Sequence, residues 1–200
     1  MPMILEGLVT SLCREGVVNL APMGPQVDTG MNRFVLRPFR TARTYLNLKE
    51  HPQGVFHVTD DVLLIARAML GLTDPPPAYF PARRVRGQVL AGACRYYEFR
   101  VRSMDDREER ASIDVEVLNT GRLRDFFGFN RAKHAVIEAA ILASRTALLP
   151  LDVIAAEFSR LAPLVDKTGG EAEHHAFALL RDHVERFAAK KSLQSEDICR

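Results

Sequence analysis

Apolar positions along the chain follow two periods, and the change falls near Gly121. Before it, short apolar runs broken by turn residues predict strands. Residues 4–13 and 17–21, separated by Arg14-Glu15-Gly16, predict a hairpin. Its second strand is expected to end at Pro22-Met23-Gly24-Pro25, because proline cannot donate to a ladder. Residues 32–36 predict a short strand, and residues 41–48 a short helix with Thr41 as its N-cap. Residues 55–59 predict a strand with Phe56 and Val58 on one face and Val55, His57 and Thr59 on the other. Asp60 or Asp61 caps a helix that runs through Val62, Ile65, Ala66 and Met69 to Gly71. Asp74-Pro75-Pro76-Pro77 is a rigid loop, and strands are expected at 88–91, 95–102 and 111–118. In 95–102, Tyr97, Phe99 and Val101 alternate with Glu98, Arg100 and Arg102, which predicts a half-buried strand. Residues 105–110 form a charged, solvated hairpin tip.

After Gly121 the apolar positions recur at helical spacing. Asn130 is an N-cap for a helix over 132–148, Pro150 and Asp152 start a second, and Gly169-Gly170 opens a third. Ile154, Phe158 and Leu161 mark the inner face of the second helix, and Phe177, Leu180, Val184 and Phe187 that of the third. Residues 192–200 are expected to fray. Strands first and helices last predict an α+β architecture, divided into a strand-rich part at 1–125 and a helical extension at 126–200 packed on it.

Composition narrows the function classes. With 200 residues and 47% hydrophobic content the chain can bury a substantial core, and its net charge of +2 does not call for a nucleic-acid partner. The arginines between Arg33 and Arg43 do lie among Phe34, Phe39 and Tyr45, but the excess of positive charge is small. Cys13, Cys94 and Cys199 form no paired motif and read as free thiols of a reducing compartment. No apolar run is long enough to span a bilayer, and the N-terminus lacks the basic region of a signal peptide, so a cytoplasmic location is expected. No metal or nucleophile motif is present: the adjacent His174 and His175 point to different sides of a helix, and with His183 they are expected to face solvent. Lys167-Thr168-Gly169-Gly170 lacks the spacing of a phosphate loop and reads as a helix end followed by a glycine turn. No G-x-G-x-x-G is present to suggest a Rossmann site.

Five separated strings, in order, resemble one family. They are Asn19-Leu20-Ala21-Pro22-Met23-Gly24, Arg37-Pro38-Phe39-Arg40-Thr41-Ala42-Arg43-Thr44-Tyr45-Leu46-Asn47-Leu48, Val55-Phe56-His57-Val58-Thr59-Asp60-Asp61, Gly128-Phe129-Asn130-Arg131-Ala132 and Asp166-Lys167-Thr168-Gly169-Gly170. They are similar to the DUF447 family of uncharacterised archaeal and bacterial proteins, and the resemblance covers nearly the whole chain. It implies an FMN-binding split β-barrel like that of flavin reductases, with FMN at a two-fold homodimer interface. It further implies a flavoprotein, an oxidoreductase of unknown substrate that exchanges electrons with small molecules and is linked to tetrahydromethanopterin one-carbon metabolism. Two alternatives stand beside this: a non-catalytic flavin-binding or assembly protein, and a split barrel that holds haem or a deazaflavin, with His57 and His134 as candidate haem ligands.

With the resemblance in hand, Arg37, Arg40 and Arg43 supply fork donors for the FMN phosphate, and Thr41, Thr44 and Asn47 supply short polar groups at the start of a helix. Thr41 and Thr44 are three apart and would share a helix face. The alternative is a solvated basic face with Thr41 only a cap. Asn19, Pro22, Met23 and Gly24 would meet the flavin ring, with little side-chain bulk at Pro22 and Gly24; the alternative is an ordinary strand end. His57 and Val58 would meet it from a neighbouring strand, or His57 is a satisfied structural histidine. Arg131 and Lys133 are unusual at a helix N-terminus, where the dipole disfavours cations, and would face a phosphate or an anionic substrate. Glu138 would pair with Arg131 or Arg145, or form a buried structural pair.

Overall fold

A computed structural model describes residues 3–198, side chains at 192 and 194–198 excepted. In chain order the elements are β1 (Met3–Ile4), β2 (Gly7–Leu12), β3 (Val18–Met23), β4 (Gln26–Val27), β5 (Arg33–Leu36), α1 (Arg43–Glu50), β6 (Gln53–Val58), α2 (Val62–Leu70), β7 (Tyr79–Pro81), β8 (Gln88–Leu90), β9 (Arg95–Asp105), β10 (Ser112–Arg122), α3 (Arg131–Ala143), α4 (Leu151–Thr168) and α5 (Glu171–Ile198). They fall into two compact units.

The first unit holds the strands and α1. Eight strands pair antiparallel in the order β1-β4-β5-β10-β9-β6-β2-β3, and β7 pairs with β8 separately. β1 ends this order and β2 stands next to its other end, yet only Leu5 and Glu6 join them. Three peptide steps reach about 11 Å, so the sheet must curl until its ends approach, and the Leu5 N–H bonds the Pro25 carbonyl at 3.1 Å. The curled sheet encloses Phe34, Phe56, Tyr97, Phe99 and Ile113, and α1 adds Tyr45 and Leu48. Phe34 meets both Phe56 and Tyr97 edge-on at 5.5 Å, the arrangement aromatic quadrupoles favour.

Pro22 does not end its strand, because β3 is the outermost strand and needs N–H groups on one side only. β9 is not half-buried where Tyr96 and Glu98 lie. The β7–β8 hairpin covers that face, with Val85 and Val89 against Val55 and Tyr96. Thr41 is not the N-cap of α1; Ala42 is, and no side chain caps the helix.

The second unit is helical and comes from two stretches, Asp61–Thr73 and the chain from Phe127 onward. α2 therefore belongs with the C-terminal helices: Val62 and Ala66 are buried in one cluster with Val136, Phe158, Phe177 and Leu180. A division at 125 leaves α2 with the strands, since periodicity reveals an apolar face but not what covers it. Asp61 caps α2 through the Leu64 N–H, and Gly71 ends it in the left-handed region. Asn130 caps α3 as expected, but the helix stops at Ala143. The backbone of α5 stays helical through Ile198 rather than fraying from residue 192, while Cys199 lies outside the described residues. Among the described residues no helix is long and apolar enough to cross a membrane.

Candidate functional site

The first turn of α1 is built to attract an anion. The first N–H groups of a helix have no intrahelical acceptor, and the helix dipole is positive there. Here no side chain caps them and no acid lies in the first turn. Arg43 is the first helical residue, and Arg37 and Arg40 precede it. All three are exposed and their guanidinium groups make no hydrogen bond or ion pair among the described residues. The field of Arg40 reaches Asp106, whose carboxyl is held below its usual range mainly by hydrogen bonds from Tyr45 and Lys49.

A polar network fixes the floor beside this turn. Asn19 Nδ2 donates to Thr44 Oγ1 at 3.1 Å, and Asn47 Nδ2 donates to Ser11 Oγ at 3.1 Å. Ser11, Thr44 and Asn47 are buried. β2, β3 and α1 are thus tied together through these side chains, and among the described residues no buried side-chain polar atom lacks a partner. Above the network lies a recess of about 300 Å3, lined by Cys13, Val17, Val18, Asn19, Arg43 and Asn47. Thr41 stays outside, exposed ahead of the helix, so it does not share a face with Thr44. Ser11 escaped the sequence reading, although a serine inside an apolar strand run is itself a signal, since a buried hydroxyl needs a partner.

At the far end of β3, Pro22 and Met23 are half-buried, and Met23 packs against the barrel core. Beside Gly24 lie the side chains of Glu6 and Ile4: a Cβ there would meet Glu6 Oε1 at 2.8 Å and Ile4 at 3.0 Å. What β3 does offer is its outer main-chain edge, which no strand among the described residues pairs.

His57 is a structural histidine. It is fully buried, the Leu90 N–H donates to Nε2 at 3.0 Å, and the protonated Nδ1 faces the Leu8 carbonyl at 3.2 Å. Burial lowers its pKa to about 4, against a smaller upward pull from the Leu8 carbonyl, so the ring is neutral near pH 7. Neither nitrogen is left for a flavin, a proton transfer or a haem iron. The strand carrying it is paired on both sides, by β2 and β9. The Val58 carbonyl accepts the Cys94 N–H at 2.9 Å. His57 and Val58 therefore do not present free polar groups to a ligand.

In the helical unit, Lys133 does not wait for a phosphate; its Nζ pairs with Glu173 Oε1 at 2.7 Å. Burial pushes the Glu173 carboxyl up, but hydrogen bonds from Lys133 and the Gly170 N–H outweigh it and leave the pKa lowered. Thr168 explains the string around it: its Oγ1 accepts the Ala132 N–H at 3.0 Å, and its carbonyl accepts Asn130 Nδ2 at 2.9 Å. Lys167-Thr168-Gly169-Gly170 thus joins α4 to the start of α3, in keeping with a helix end and turn. Glu138 is exposed and pairs with neither Arg131 nor Arg145; its field reaches Arg160. Arg131 is exposed and makes no hydrogen bond or ion pair among the described residues. His134 lies exposed against Phe129, ring centroids 6.0 Å apart. No group of three His, Cys, Asp or Glu among the described residues could hold a metal ion.

The curled antiparallel barrel is similar to the split barrel of FMN-binding proteins and flavin reductases. The chain belongs to the family described as protein of unknown function (DUF447), whose N-terminal domain matches residues 5–124 and whose second domain matches residues 130–182. It is similar to an FMN-bound DUF447 protein from Methanosarcina mazei over 92% of this chain and 96% of that one, with 22% identity and a TM-score of 0.78. An FMN-binding protein from Thermus thermophilus is similar over 62% of this chain and 72% of its own, with 13% identity and a TM-score of 0.52. A 2-nitrobenzoate 2-nitroreductase from Pseudomonas fluorescens is similar over 61% of this chain and 66% of its own, with 20% identity and a TM-score of 0.51. No curated protein matches the chain.

Proposed function

We propose that the chain binds FMN and acts as a flavin-dependent oxidoreductase. The observation that carries this reading is the uncapped first turn of α1, with unpaired Arg43 beside a recess walled by Asn19 and Asn47. These residues suit a phosphate dianion: oriented N–H groups, a fork donor and no competing acid in the turn. Arg43 would hold the phosphate, with Arg40 and Arg37 as further donors. Asn19, fixed through Thr44, and Asn47, fixed through Ser11, would keep the recess in shape. The outer edge of β3, through Pro22 and Met23, would give main-chain groups to the polar rim of the ring. The FMN-bound member of the same family supports the reading.

FMN supplies hydride and electron chemistry when bound. The chain's own part is to bind, orient and shield, and His57, neutral and doubly bonded, moves no proton. A reduced nicotinamide or another reduced carrier would be the donor, and a pterin-type one-carbon intermediate is one acceptor the family resemblance points to. Arg131 is the residue of the helical unit assigned to an anionic partner; Arg131→Ala leaving both flavin and substrate affinity unchanged removes that role. The unpaired edge of β3 also fits a two-fold homodimer with FMN near the interface.

The test is an anaerobic absorbance titration. FMN should be taken up saturably, and the bound flavin should bleach with NADH, NADPH or a reduced deazaflavin. Uptake without bleaching by any of them makes the protein a flavin binder without turnover. No uptake at all overturns the proposal.

A further inference from the structure

A second cationic feature lies on the opposite face of the same strands. Ser11 of β2 faces α1, bonded to Asn47, whereas its neighbour Thr10 faces the β7–β8 hairpin, bonded to the Gln88 carbonyl. The tip of that hairpin is closed by the Ala82 N–H on the Gly87 carbonyl and carries Arg83, Arg84, Val85 and Arg86.

Every residue of the tip is fastened to the barrel. Arg83 and Arg84 donate their main-chain N–H groups to the two carboxyl oxygens of Glu98, at 3.0 and 2.6 Å. Glu98 is fully buried, and Asn119 Nδ2 gives it a third bond at 2.8 Å. Val85 is buried among Val55, Val89 and Tyr96. The Arg86 N–H donates to Gln53 Oε1 at 2.7 Å, and its carbonyl lies 3.0 Å from His51 Nε2. Burying a carboxyl group is costly unless its bonds are satisfied, and here the satisfied group holds a turn in one shape.

The main chain is locked, yet the three guanidinium groups are not used. Arg83, Arg84 and Arg86 are exposed, and none makes a side-chain hydrogen bond or ion pair among the described residues. Three like charges within four residues repel one another, and nothing in the barrel's packing requires them. Next to Arg86 opens a recess of about 330 Å3, also lined by Arg14, His51, Cys13 and a single acid, Glu50. Fork donors on a rigid turn beside a small basic recess match the oxygens of a phosphate group.

We propose that the 83–86 tip and this recess form a binding site for the phosphate of a small-molecule ligand, separate from the turn of α1. Arg84 and Arg86 grip the phosphate, Arg14 closes the recess from the β2 side, and Glu98 is the positioning residue that sets the tip.

The experiment is calorimetric titration of the full chain, first saturated with FMN so that the α1 site is filled, with adenosine 2′,5′-bisphosphate and with pyrophosphate. Saturable binding at one site per chain is expected. Arg83→Ala/Arg84→Ala/Arg86→Ala should weaken it at least about tenfold, and FMN affinity should not change, since none of these three side chains lines the recess beside the first turn of α1. If FMN does not bind, the same titration on the Arg43→Ala protein still isolates the tip. The proposal falls if no saturable binding occurs or if the triple alanine variant binds equally well. It also falls if the corresponding triple lysine variant retains full affinity, for then only diffuse charge is at work. Tighter capture of a single-stranded oligonucleotide, lost in the same variant, would assign the tip to nucleic acid and overturn the small-molecule reading.

Discussion

At the scale of single residues, burial decides which polar groups are free to act. His57 titrates near 4 in the fold and near 6.5 when unfolded, because burial disfavours its charged form. The unfolded chain then binds more protons between these values, so stability is full above about pH 6.5 and falls as pH drops toward 4. This one group accounts for a loss of about 2 kcal/mol between pH 7 and pH 5. Urea unfolding at the two pH values should show it, and His57→Asn should flatten the difference; an unchanged pH dependence in that variant would show that His57 is not its source. Lys133 and Glu173 have the opposite character. Lys133→Met leaves a largely buried carboxylate without its cation and should destabilise the chain by about 3 kcal/mol at pH 7, again read by urea unfolding. The sequence showed His57 and Val55 on the same strand face, but not that a hairpin some thirty residues on would seal it. Glu98 was misread for the same reason. Alternation says which residues share a side, and only the fold says whether that side meets water.

At the scale of elements, α1 presents a conflict between stability and binding. Its N-cap is alanine in an extended conformation, where an acid would suit the backbone and complement the dipole. Ala42→Asp should therefore raise the stability of the flavin-free protein by about 1 kcal/mol, and should weaken FMN binding at least about tenfold by placing a carboxylate where the phosphate belongs. A melt and a flavin titration on the same sample check both halves; a stabilised variant with undiminished FMN affinity would place the phosphate elsewhere. Most strands and all five helices were legible from periodicity and turn residues. The end of β3 was not, because Pro22 is forbidden only in an inner strand, and strand order cannot be read from one strand's own residues. The cap of α1 was missed by one residue, since Thr41 has the right chemistry in the wrong place.

At the scale of the whole molecule, each unit has its own apolar core. In the helical unit Phe158 and Phe177 pack with ring centroids 5.3 Å apart, and Phe177→Ala should cost about 4 kcal/mol in unfolding free energy. The change from strands to helices at Gly121 announced the α+β plan, yet α2, far upstream, belongs to the helical unit because Val62 and Ala66 fill its core. The outer edge of β3 leads to the proposal of a homodimer, for which sedimentation at micromolar concentration should give twice the chain mass, and a monomer would refute it. The central claim is that the flavin phosphate sits at the first turn of α1. It is tested most directly by comparing FMN with riboflavin, which lacks only the phosphate, in the natural chain and in Arg43→Ala. The account predicts that the natural chain prefers FMN by about a hundredfold and that the variant loses most of this preference while its affinity for riboflavin stays nearly the same. Equal affinities for the two flavins, or a preference untouched by Arg43→Ala, would contradict it.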